Sequence, residues 1–263
     1  MEQYLPRFAG DAIPATDTGA ALALADRLDT LVGIFSIGQQ PSGSRDPFAL
    51  RRASLGILRI IIERNIDLDL KQAITAAAQQ LKVTDSADKL CLQVLTYVLE
   101  RFKAWYKDEN IAVEVFSSVA ALELTNPLDI NSRVKAVDEF SRLPEAVALA
   151  TANKRVFNIL AKQAADSIPS SIDTSLLVDA AEIQLAENIT QLSIVVTPLL
   201  EQRDYAGVLK ILASLRESVD QFFDDVMVMV DDTAVRANRL ALLHSLRSLF
   251  LNVADISQLV VTK

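Results

Sequence analysis

Residues 17–35, DTGAALALADRLDTLVGIF, decide the fold class. Leu24, Leu28, Leu31, Val32 and Phe35 recur at helical spacing, while Asp26, Arg27 and Asp29 fall on the other face. That spacing predicts an amphipathic helix from Thr16 or Asp17 to Phe35, with one apolar stripe for a core and one polar face for water. The same period continues through most of the chain. With 7 Gly, 8 Pro and 6% aromatics in 263 residues, punctuation is too sparse for many short strands, and the 51% hydrophobic content suffices for a large core. The expected fold is all-α.

Immediately downstream, GQQPSGSRDP (38–47) is the most turn-rich stretch, and Asp46 and Pro47 stand where an N-cap and a first helical residue are expected. The helix starting there is predicted to reach Asn65. It presents Phe48, Leu55, Leu58, Ile61 and Ile62 to a core and Arg51, Arg52, Arg59 and Arg64 to the outside. Further helices are predicted over 69–81, 86–107, 110–122, 131–140, 144–164, 173–201, 204–230 and 232–253. LTNPLDIN (124–131) breaks the period with a proline, which divides the chain into residues 1–128 and a helical bundle over 129–263. No repeat of fixed period appears.

A formal charge of −8 disfavours non-specific binding to nucleic acid, DNA included, so any RNA contact must be local. Three windows qualify. Residues 45–64 hold five Arg against two acids, whereas 151–165 and 233–252 each hold three basic residues and no acid. The single cysteine, Cys91, cannot close an internal disulfide and fits a small buried apolar position. Neither a membrane-spanning run nor a signal peptide is expected, and the cytoplasm is the default compartment.

Few residues suit bond-making chemistry. One histidine, His244, rules out a histidine pair at a metal and reads as a solvated surface residue. The loop before the second helix lacks the Gly-Lys-Ser/Thr ending of a nucleotide-binding loop, though Arg45, Arg51 and Arg52 could there meet an RNA backbone. In TANKRVFNILAK, Lys154, Asn158 and Lys162 stand four apart on one stripe beside Arg155, with Val156, Phe157, Ile159 and Leu160 toward a core. Such a stripe can take phosphates and hydrogen-bond unstacked bases.

Near the C-terminus, ESVDQFFDDVMVMVDD (217–232) carries six acids and no base, and the segment after it carries Arg236, Arg239 and Arg247. The two are expected to pack as antiparallel helices. Arg239 falls within the apolar arc of Val235, Leu242, Leu243, Leu246 and Phe250, where a charge needs a partner. A buried ion pair with Asp224 or Asp225 is expected, with Arg236 and Arg247 at the border of the arc better placed for a ligand.

The blocks PRFAGDAIP (6–14), ALALADRLDTLVGIFSIG (21–38), DPFALRRASLGILRIIIE (46–63), RFKAWY (101–106), ANKRVFNILAK (152–162), FFDDVMVMVDD (222–232) and NRLALLHSLRSLFLNVADIS (238–257) resemble the β subunit of the bacterial two-subunit glycyl-tRNA synthetase. The resemblance implies a truncated HD-like helical domain followed by an anticodon-binding bundle of the type found in arginyl-tRNA synthetase. Asp26 and Asp29 resemble the last Asp of HD-type metal phosphohydrolases, but the chain lacks the histidines those enzymes need, so no metal ligand and no catalytic residue is expected here. The resemblance also implies tRNA(Gly) and the synthetase α subunit as partners. ATP and Mg²⁺ would act in the α subunit, with no cofactor held by this chain. It further implies that the chain is a C-terminal portion of a longer subunit and does not aminoacylate alone. The residues expected to meet tRNA are Arg51, Arg52, Lys154, Arg155, Asn158, Lys162, Arg236 and Arg247.

Overall fold

A computed structural model describes residues 2–43, 45–82, 87–164 and 168–259. Among these the chain is helical, with no β-strand beyond an isolated bridge of Ser42 with Arg45. It divides into two compact units. The first comprises residues 1–110 and 124–131, the second residues 111–123 and 132–263.

The first unit holds helices α1 (Asp17–Ser36), α2 (Leu50–Glu63), α3 (Leu70–Gln80), α4 (Ala87–Leu99) and α5 (Arg101–Asp108). α1 starts where Thr16 caps it, the hydroxyl accepting from Gly19 N at 3.0 Å. α1 packs on α2, α3 and α4. Leu31, Val32, Ile57, Ile61, Ile74 and Val94 are fully sealed from water, each worth roughly 1.5–3 kcal/mol of burial. On α5, Tyr106 stacks on Phe102 at 5.2 Å and donates to Asn131 Oδ1 at 3.1 Å, while burial pushes its phenol well above the ordinary range.

Three expectations change here. α2 begins at Leu50, three residues after Pro47, because Ala49 takes a left-handed turn with φ 55°. The Asp46 carboxylate still serves the helix, accepting from Leu50 N at 2.8 Å and Arg51 N at 3.0 Å. Phe48 therefore sits on the turn and is exposed, not packed. The helix expected over 86–107 is two, interrupted at Glu100. Arg27, expected on the polar face of α1, is buried.

The second unit holds α6 (Val113–Ala120), most of α7 (Pro127–Ser141), α8 (Ala146–Leu160), α9 (Ala180–Glu201), α10 (Tyr205–Leu212), α11 (Arg216–Asp225) and α12 (Thr233–Leu251). The chain passes from one unit to the other inside α7, whose first residues are held by Asn126 Oδ1 accepting from Leu128 N at 3.0 Å. α8 lies against α11, α12 and the 3-10 turn Ile256–Leu259, and α9 against α10, α11 and α12. The helix expected over 204–230 instead breaks at the 3-10 turn Ala213–Leu215 and stops at Asp225. Beyond it the backbone turns extended at Val226, and Val226 and Val228 are buried while Met227 and Met229 are exposed.

Candidate nucleic-acid interface

α8 carries the cations of the 151–165 window. Its buried face is Ala146, Leu149, Ala150, Ala152, Asn153 and Val156, which leaves the charged residues outward. Phe157, expected in the core, is 38% exposed. It is the centre of a cluster: Lys154 Nζ lies 5.7 Å from the ring centroid and Arg247 Cζ, on α12, 5.0 Å. Both distances are within cation–π range. One position after Lys154, Arg155 Cζ stands 4.2 Å from the ring of Phe223 on α11. Asn158 and Lys162 are exposed, but α8 ends at Leu160, so Lys162 lies past the helical stripe it was assigned to.

Arg247 is held in place. Its Nη2 donates to Asp255 Oδ2 at 2.7 Å, and Asp255 Oδ1 accepts from Ser257 Oγ at 2.6 Å. Burial alone would raise the Asp255 carboxyl, but Arg247 and Ser257 outweigh it and keep the group below its ordinary range. Arg247 therefore props the Phe157 ring and is largely committed inside the fold. Arg236 is likewise engaged, donating from Nη1 to Val230 O at 2.7 Å.

Arg239 is buried as its place in the apolar arc predicted, but its partners differ. It donates to Glu182 through Nε and Nη2, both at 3.0 Å, to Asp179 Oδ2 at 2.7 Å and to Met227 O at 2.8 Å. Asp224 and Asp225 are exposed at the end of α11 and make no ion pair with Arg239. Asp179 and Glu182 also form the capping box of α9. That Asp-x-x-Glu spacing is visible in the sequence and could have located this helix start at Ala180.

In the first unit, Arg51 donates to Gly43 O and Arg52 donates to Arg7 O at 3.3 Å. Asp26 and Asp29 line an open apolar groove between α1 and α3 and show no clustering with further metal-binding groups among the described residues. His244 is exposed on α12. No helix of the described residues is long and apolar enough to cross a membrane.

Comparison with known proteins gives two family matches. Residues 1–121 match the family described as glycyl-tRNA synthetase beta subunit, and residues 149–257 match the DALR anticodon binding domain. The chain is 58% identical over 258 residues to the glycine–tRNA ligase beta subunit of Marinobacter nauticus and 57% identical to those of Chromohalobacter salexigens and Pseudomonas aeruginosa. These alignments cover 98% of this chain and 37–38% of the relatives, so the chain spans little more than a third of their length.

Proposed function

From the premise that this chain belongs to the glycyl-tRNA synthetase β-subunit family, we propose that it serves glycine–tRNA ligation by recognising tRNA(Gly), its second unit gripping the anticodon loop. The observation that carries this is the cluster on α8. A half-exposed aromatic ring propped by Arg247, with Lys154 beside it and Arg155 two positions before it, offers stacking and phosphate contact together. In a chain of net charge −8 such a cluster is where a polyanion can dock. In this reading the bond-making step, with ATP and Mg²⁺, belongs to the α subunit in the cytoplasm, and this chain delivers the tRNA.

The test uses the whole chain, tRNA(Gly) and a tRNA differing only in its anticodon. Binding at low salt should favour tRNA(Gly), and Lys154→Glu with Arg155→Glu should weaken it by at least tenfold. Equal binding of the two tRNAs removes anticodon reading from this chain; unchanged affinity of the charge-reversed variant removes α8 from the interface.

A further inference from the structure

A second concave site lies in the first unit, built around the buried Arg27. Its guanidinium is enclosed by backbone carbonyls: Nη1 donates to Ala23 O at 2.9 Å and Gln3 O at 3.1 Å, and Nη2 to Leu5 O at 2.9 Å, Pro6 O at 3.1 Å and Tyr4 O at 3.3 Å. No carboxylate among the described residues pairs with it. Burial pulls this arginine below its ordinary range, and the charge of Asp26 offsets that only in part. The carbonyls take up the N–H groups of Nη1 and Nη2 and contribute no full counter-charge.

The same cage fixes the Gln3–Pro6 segment and with it Tyr4. Tyr4, Arg7, Arg27, Phe48 and Arg52 line a shallow pocket of about 310 Å³, with Asp26 the one acid of its lining. Tyr4 is 56% and Phe48 43% exposed, large aromatic surfaces left in water at one site. Arg7 is held by Asp11 at 2.9 Å, and Arg52 donates to the Arg7 carbonyl at 3.3 Å, which sets both guanidinium groups at the rim. Exposed aromatics interleaved with arginines, around a buried cation that no carboxylate pairs with directly, are the parts a nucleotide needs: a stacking face and an anion seat.

We propose that this pocket takes one unpaired nucleotide of an RNA strand, its base stacked on Tyr4 and Phe48 and its phosphate seated at Arg52 and Arg7 in the field of Arg27. The source of the nucleotide, an RNA strand, rests on the tRNA-recognising reading above; the fit to a nucleotide rests on the pocket alone.

The experiment measures binding of a fluorescent, unstructured adenine hexaribonucleotide, and separately of AMP, to the whole chain by anisotropy and competition at several salt concentrations. Phe48→Ala and Tyr4→Ala should each weaken the hexanucleotide by about tenfold, and Arg52→Ala should also lower the salt slope by about 0.7. Both aromatic positions are exposed, so melting should be unchanged, which separates loss of the site from loss of the fold. Affinities within about twofold of the parent for both aromatic variants would overturn the site. AMP competing as well as the hexanucleotide would overturn the RNA source. Phe157→Ala, in the other unit, tests the anticodon reading separately: it should abolish discrimination between anticodons and leave the effects of Phe48→Ala in place.

Discussion

Arg239 and Glu182, 57 residues apart in sequence, meet through two parallel hydrogen bonds of 3.0 Å, Nε to Oε2 and Nη2 to Oε1. The carboxylate is fully buried and the guanidinium 5% exposed. Glu182 also accepts from Val178 N at 2.7 Å and Asp179 N at 2.8 Å, so one acid both starts α9 and ties it to α12.

Arg239→Ala strands the buried Glu182 carboxylate and should destabilise the second unit by about 3–5 kcal/mol. Because Glu182→Ala removes the same contact from the other side, the double variant should lose less than the sum of the single losses, with a coupling of at least about 1 kcal/mol. Urea unfolding of the four proteins measures it; additive losses would show that the two residues do not act as a pair.

The pair also sets an acid limit. Burial would raise the Glu182 carboxyl, but the Arg239 hydrogen bond and the N–H groups of Asp179 and Val178 outweigh it and leave the group below its ordinary value of 4.5. Asp255 likewise sits below 3.8. As pH falls through these ordinary values the unfolded chain takes up protons that the folded chain does not. The contribution is thus complete above about pH 4.5 and is lost as pH drops through the lower folded values. Melting temperature should fall steeply below pH 4.5, and Arg239→Ala, already lacking one source of that slope, should show a shallower fall.

Gly56 faces Arg27 closely: a Cβ there would stand 2.8 Å from Arg27 Nε. Alanine in a helix interior normally stabilises by about 1 kcal/mol relative to glycine. Here the sign should reverse, since the guanidinium is pinned by five carbonyls and cannot step aside. Gly56→Ala should lower the melting temperature and weaken hexanucleotide binding together; a raised melting temperature would show that the cage yields.

Among the cations near Phe157, the partners decide the roles. Lys154 is half-buried with its ammonium near the ring, whereas Arg247 is neutralised by Asp255. Lys154→Ala should reduce the salt slope of tRNA binding by about 0.7–0.9. Arg247→Lys, which keeps the charge but loses the guanidinium geometry, should leave that slope unchanged and lower stability.

How far the sequence could be read depended on the range of the forces involved. α1 was legible because apolar spacing and the Thr16 cap are both local, and so was the burial of Arg239, which follows from its place in an apolar arc. The end of α11 at Asp225 was not legible, because Val226, Met227, Val228 and Met229 are all apolar and carry no alternation of polarity. The break at Glu100 carried no glycine or proline to announce it.

The sequence by itself determined the helical class, most of the apolar faces that build the two cores, and the net charge that confines any polyanion to local basic clusters. Tertiary structure alone decided which acid meets Arg239, that Arg247 is held by Asp255, that Phe157 and Phe48 stay partly in water, and that Arg27 turns inward among carbonyls. Spacing fixes the face of a helix to which a side chain belongs, because that is set by the turn of one backbone. Which group lies across from it depends on how distant segments pack, and many acids of one chain satisfy the same charge until packing selects one.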